Sequence, residues 1–139
     1  MKVYLSVPMI NNRNIERSRL IAEIIEETGN TLASPWVLGE VESASPEGVN
    51  VFERDRTGAE NCDMLIADVS MPSNGVGMEI MAAYYAGKKI VLLAKNGSRV
   101  SRMLLHMKRK EIIFFDDNDD LKNKLKEFLS KAVTEQGLG

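Results

Sequence analysis

The chain has 139 residues, 44% of them hydrophobic and 27% charged, which is the size and mixture of one ordinary globular domain spanning residues 1–139. With 18 Lys and Arg against 20 Asp and Glu the formal charge is −2, which argues against bulk electrostatic binding of nucleic acid. Cys62 is the single cysteine, so an intrachain disulfide is excluded and a reducing compartment fits.

Short β-type runs alternate with helical patterns. Val3 to Val7 is apolar and β-branched and reads as a buried strand. The start is broken too soon, by Pro8 and Asn11-Asn12-Arg13, for a signal peptide. Apolar runs fall far short of the ~20 residues of a membrane span, so the expected address is the cytoplasm. Asn14 can cap a helix with apolar positions Leu20, Ile21, Ile24 and Ile25, ending at Gly29. Thr31 to Val37 reads as a weaker strand, interrupted by Pro35, and Gly39 to Gly48 as a loop. Asn50 opens a helix with Glu53 at the capping-box position. Met64 to Val69 is the third strand. A turn at Pro72-Ser73-Asn74-Gly75 leads into a helix from Val76 to Ala86, with Gly87 as its stop. Ile90 to Ala94 is the fourth strand, and Val100, Met103, Leu104 and Met107 mark a short helix. Ile112 to Phe115 is the fifth strand. Asn118 can cap a last helix with Leu121, Leu125, Phe128, Leu129 and Ala132 on one stripe.

Strands alternating with helices imply an α/β fold: a doubly wound five-stranded parallel sheet between two helical layers. The expected order is flavodoxin-like, 2-1-3-4-5. A ligand should then sit beyond the C-terminal strand ends, near residues 7–13, 69–79 and 94–101.

Pro72-Ser73-Asn74-Gly75-Val76-Gly77-Met78-Glu79 is the most informative segment. Gly75 and Gly77 let backbone approach a ligand, and free amides at a helix start favour an anion. Ser73 adds a hydroxyl. Glu79, placed in the first turn, should be kept ionised by the helix dipole, as a glycosidic nucleophile requires. A tight turn with a surface glutamate fits the same residues. Asp55 shares a helix face with Phe52, Ala59 and Cys62, which are core residue types. A carboxylate there is costly to bury without partners or work to do. It suits a general acid, or a structural acceptor for loop amides or an arginine. Glu53, Arg54 and Arg56 read as solvated. Ser98, Arg99, Ser101 and Arg102 at another helix start suggest an anion site or a solvated cap. Arg13 is a phosphate or base contact, or a loop cation. Trp36 reads as a base-stacking or half-buried core residue. His106 is the single histidine, and no cluster of metal ligands is visible, so no metal is expected.

Taken together, Val3-Tyr4-Leu5-Ser6-Val7-Pro8, Glu53-Arg54-Asp55, Asp68-Val69-Ser70 and the segment from Pro72 to Glu79 resemble the nucleoside 2-deoxyribosyltransferase superfamily. They are most similar to its 2'-deoxynucleoside 5'-monophosphate N-glycosidase branch. The resemblance covers Lys2 to Phe128. It implies that Glu79 is the nucleophile at the anomeric carbon and that Asp55 assists departure of the base. It places Tyr4 near them on the first strand. Ser73 matches a phosphate-binding serine where the transferases carry an acidic residue. That exchange is sensible, because a carboxylate would repel a phosphate that a hydroxyl can donate to. Ser101 matches a serine supplied by a neighbouring subunit, with Arg99 assisting, so a homodimer is implied. Val7-Pro8-Met9-Ile10 after the first strand is nearer the transferases, with Arg13 able to replace the arginine that the hydrolases carry.

The expected function is hydrolysis of (deoxy)nucleoside 5'-monophosphates to free base and sugar 5-phosphate through a glycosyl-Glu79 intermediate, with no cofactor, membrane or nucleic-acid partner. The alternatives are base exchange on unphosphorylated deoxynucleosides, and a non-catalytic nucleotide-binding module.

Overall fold

The computed structural model describes residues 1–10, 13–39 and 46–138. In chain order the elements are β1 (Lys2–Ser6), α1 (Ile15–Glu27), β2 (Thr31–Leu32), a 3-10 turn (Pro35–Leu38), α2 (Val51–Asn61), β3 (Met64–Asp68), α3 (Asn74–Tyr85), β4 (Lys89–Lys95), α4 (Arg102–His106), β5 (Glu111–Phe115) and α5 (Asn118–Leu138). The five strands form one sheet in the order β2-β1-β3-β4-β5, and every pairing is parallel. This is the expected doubly wound α/β architecture. Among the described residues no helix is long and apolar enough to cross a membrane.

Alternation along the strands sorts side chains between two apolar layers. Val3, Leu5, Ile66, Val91, Leu93 and Phe115 face α1 and α5, where they meet Ile21, Ile25, Leu121, Leu125 and Leu129. Tyr4, Leu65, Ala67, Ile90, Leu92 and Ala94 face the other way, toward Ala59 and Cys62 of the α2 segment and Val76, Ile80 and Ala83 of α3. Burial pushes the Cys62 thiol up to about 11, so it packs as a small apolar group.

Several expected boundaries shift for local reasons. The second strand ends at Leu32 rather than running to Val37. The Ser34 hydroxyl accepts from Leu5 N–H and donates to Leu5 C=O, each at 2.9 Å, in place of ladder partners. Pro35 then opens a 3-10 turn instead of continuing the strand. The third helix starts at Asn74, not Val76, because the Ser73 hydroxyl caps it by accepting from Val76 N–H. Asp117, not Asn118, caps the last helix, accepting from Asp120 N–H at 2.8 Å. Of the expected loop from Gly39 to Gly48, residues 40–45 lie outside the described ones, as do Asn11 and Asn12.

Candidate active site

Because Tyr4 and Ser6 are two apart on β1, they point to the same side of the sheet, toward α2 and α3. Glu79 comes down from α3 to meet both. The Tyr4 hydroxyl donates to Glu79 Oε2 and the Ser6 hydroxyl to Oε1, the second at 3.1 Å. Both carboxylate oxygens are thus oriented by β1, an interior strand paired on both sides. Gly58 makes this possible. A Cβ there would stand 2.6 Å from Tyr4 Cε2, so only glycine lets α2 close over the ring.

Glu79 lies in the second turn of α3, and the first turn holds no acidic residue. The dipole argument for an ionised carboxylate therefore fails, since that effect fades beyond the first turn. Burial dominates instead and, helped by the nearby negative charge of Asp55, pushes the Glu79 carboxyl up to about 7. The hydroxyls of Tyr4 and Ser6 and the charge of Arg54 pull the other way. Burial, together with Glu79, holds the Tyr4 phenol far above its ordinary range, so it remains a donor.

Asp55 projects from α2 into the same region, with its side chain 24% exposed. The face that suggested it is only half apolar: Ala59 and Cys62 are buried, but Phe52 is 53% exposed. Arg54 is not solvated as expected. Its Nε donates to Asp55 Oδ1 at 2.8 Å, and its guanidinium lies 4.4 Å from the centre of the Trp36 ring. Trp36 in turn meets Tyr4 edge to face at 6.1 Å. Arg56 does face solvent, pairing with Glu53 and Glu60.

Ser73, Gly75 and Gly77 surround the start of α3. Val76 N–H is taken by the Ser73 hydroxyl at 3.3 Å and Gly77 N–H by the Ser73 carbonyl at 3.1 Å. Gly75 and Gly77 are exposed, with nothing within 4 Å of a notional Cβ, so the helix start is sterically bare. The remaining sequence candidates stand apart from Glu79. Arg13 spends its two terminal nitrogens on the carbonyls of Val37 and Gly39, at 2.6 and 2.7 Å, and so ties the 3-10 turn to the start of α1. Arg99 is exposed. Ser101 is exposed and caps α4 by accepting from Met103 N–H at 3.3 Å. Within one chain neither has a bond to the Glu79 cluster. Among the described residues no group of three or more His, Cys, Asp or Glu could hold a metal ion.

Sequence reasoning missed Ser6, Gly58 and Arg54 as parts of the site. The period-2 pairing of Tyr4 with Ser6 was a readable signal; the other two depend on how α2 packs against β1.

A family model described as nucleoside 2-deoxyribosyltransferase matches residues 3–111. A Thermofilum pendens protein named as a 2'-deoxynucleoside 5'-phosphate N-hydrolase is 32% identical over 145 residues, covering 98% of this chain and all of that protein. A Methanococcoides burtonii protein of the same name is 31% identical, covering 76% of this chain and 89% of that one. Among solved structures, the Clostridium botulinum CMP N-glycosidase BcmB superposes with a TM-score of 0.69 at 21% identity, covering 92% of this chain and 99% of that one.

Proposed function

The chain belongs to the nucleoside 2-deoxyribosyltransferase family, and from that premise we propose that it is a nucleotide N-glycosidase that hydrolyses (2'-deoxy)nucleoside 5'-monophosphates. The observation that carries the reading is Glu79, held by Tyr4 and Ser6 and faced by Asp55. A carboxylate oriented through both oxygens, with a second carboxyl beside it, is what a retaining glycosidic cleavage uses.

Glu79, once ionised, attacks C1' of the sugar while Asp55, directly or through water, supports protonation of the departing base. The excess negative charge of the pair favours the positive charge that develops on the sugar ring. Water then releases the sugar from Glu79 with net retention at C1'. Tyr4 and Ser6 keep the carboxylate aimed and donate to it as it becomes a leaving group. The raised Glu79 carboxyl, at about 7, gives kcat/KM an acid limb with its midpoint near neutrality.

The 5'-phosphate fits the bare start of α3, where helix amides and the Ser73 hydroxyl favour an anion. Ser101 and Arg99 reach a site by entering that of a second copy. An exposed apolar stripe supports this: Met78, Met81 and Tyr85 are 56%, 41% and 83% exposed at helical spacing on α3, and Met103 on α4 is 79% exposed. A homodimer would cover it. Full activity from a strict monomer overturns the shared site. A cytoplasmic setting, where Cys62 stays a thiol, fits this reading.

The test is a panel of ribo- and deoxyribonucleoside monophosphates assayed for free base. Wild type should release base from at least one, and Glu79→Ala should lose roughly a thousandfold or more of that rate. Turnover by Glu79→Ala near the wild-type rate sinks the mechanism. The transferase-like run Val7-Pro8-Met9-Ile10 makes base exchange the second reading. Exchange on free thymidine with a second base, without hydrolysis of dTMP, would establish it instead.

A further inference from the structure

Arg54 has a geometry that its own helix does not supply. Neighbouring residues on a helix do not face each other, yet the Arg54 guanidinium folds sideways to bond Asp55 at 2.8 Å. Trp36, from the 3-10 turn after β2, provides the wall that directs it there, 4.4 Å from the guanidinium carbon. The side chain is only 20% exposed, whereas that of Arg56, two residues on, is 37% exposed and turned to Glu53 and Glu60. A planar cation between an aromatic face and a carboxylate has few alternative positions.

We propose that Arg54 is a positioning residue of this site: clamped between Trp36 and Asp55, it fixes the Asp55 carboxylate and supplies the positive charge facing the Asp55–Glu79 pair. The role assigned to Asp55 rests on the N-glycosidase reading; the effect of the charge on Glu79 does not. Among the described residues, the groups that face Glu79 are Tyr4 and Ser6 from β1, and Asp55 and Arg54 from α2. Of these Arg54 is the cation, and it draws both Tyr4 and Glu79 toward their ionised forms. Without it, the donors that the described residues are seen to offer the pair are the hydroxyls of Tyr4 and Ser6. Glu79 then holds its proton to higher pH and Asp55 is free to rotate.

The test compares wild type with Arg54→Gln, Arg54→Lys and the neighbouring control Arg56→Gln. Carbon-detected NMR of the Glu79 side-chain carboxyl in the free protein follows its titration without substrate. In Arg54→Gln the midpoint should rise by roughly half a pH unit or more. In Arg54→Lys, which keeps the charge, and in Arg56→Gln it should stay close to wild type. In the base-release assay, Arg54→Gln should lose roughly tenfold or more in kcat/KM, and the acid limb should move up with the carboxyl. Arg54→Lys should lose kcat with KM little changed, since an ammonium can neither stack on Trp36 nor keep the planar contact.

Superimposable Glu79 titrations in wild type and a folded Arg54→Gln overturn the charge role. Unchanged kcat in both Arg54 variants overturns the positioning role. Should Arg54→Gln fail to fold, Arg54→Lys decides the matter through its kcat. If wild type releases no base at all, the N-glycosidase reading fails, while the Glu79 titration still decides whether Arg54 sets the charge of the pair.

Discussion

Two carboxylates lie on opposite faces of the same sheet, at neighbouring levels of the C-terminal strand ends. Asp68, the last residue of β3, is 5% exposed and fully matched. Arg17 donates to its Oδ2 at 3.1 Å and Ser70 N–H to its Oδ1 at 3.0 Å, and the guanidinium lies 5.1 Å from the Phe115 ring centre. Glu79, on the other face, has two hydroxyl donors and a second carboxyl for a neighbour, and Arg54, the cation whose charge reaches it, bonds Asp55 instead. One site has its charges balanced internally and serves the fold. The other has two carboxyls to one cation, the imbalance that the proposed reaction would complete with a sugar carrying developing positive charge. Burial alone does not separate the structural carboxylate from the candidate catalytic one; the identity of their partners does.

That contrast breaks most sharply under removal of each carboxylate in turn. Asp68→Ala leaves the mostly buried Arg17 without its counter-ion and should cost about 3 kcal/mol in urea unfolding, with kcat of the folded fraction retained. Glu79→Gln should do the reverse, destroying turnover while leaving the protein as stable or more so at pH 8. The sign follows from the raised carboxyl. An ordinary glutamate ionises near 4.5 and Glu79 near 7, so between those values the folded state holds a proton that the unfolded chain has lost. Stability contributed by this group is therefore full below the lower value, falls through the interval by up to about 3 kcal/mol, and is flat above 7. Glu79→Gln should remove that slope. Similar destabilisation by both variants, with no difference in pH slope, would erase the distinction.

The sequence shows the layer on which this contrast rests better than it shows the site. Strand and helix periodicity showed the order of elements along the chain, because each pattern is set by which face a residue buries, and the 2-1-3-4-5 sheet expected by analogy with flavodoxin-like folds is the one observed. Thr31 to Val37 misled, since a Ser34 hydroxyl can replace strand partners and no propensity records that. Phe52 looked like core because it shares a face with Ala59, but the sheet covers only one end of that face. Glu79 was legible as the candidate nucleophile from the segment that resembles the family. Its protonation was not, because helix start and burial oppose each other and only packing says which wins. Arg54 looked solvated because its neighbours are charged, and Trp36 reaches it from a distant part of the chain.

A glycine sharpens the comparison at the next level of effect. The Tyr4 ring fills the space above Gly58, 2.6 Å from where a Cβ would be. Tyr4 is fully buried and bonded to Glu79, so it has nowhere to yield. Gly58→Ala should therefore cost about 2 kcal/mol despite the better helix former. It should also lower kcat by pushing the phenol off Glu79, and leave the Asp68 face unchanged by NMR. Loss of stability without loss of kcat would mean that Tyr4 holds the core and not the carboxylate.

The smallest expected effect on folding comes from Ser73, which has two jobs to separate. Its hydroxyl accepts from Val76 N–H at 3.3 Å and so caps α3, and it stands where the proposed phosphate would bind. Ser73→Ala should lose about 1 kcal/mol through the cap alone, with a higher KM for the monophosphate. Ser73→Asp keeps a good capping oxygen and adds a charge that the helix start favours, so its stability should match wild type or exceed it. The same charge repels a phosphate. Turnover of monophosphates should therefore collapse in Ser73→Asp while the melting temperature holds. Unphosphorylated deoxynucleosides, for which no such repulsion exists, should lose nothing. If Ser73→Asp instead turns over monophosphates as wild type does, the phosphate lies elsewhere, and Ser73 belongs with Asp68 among the residues that serve only the fold.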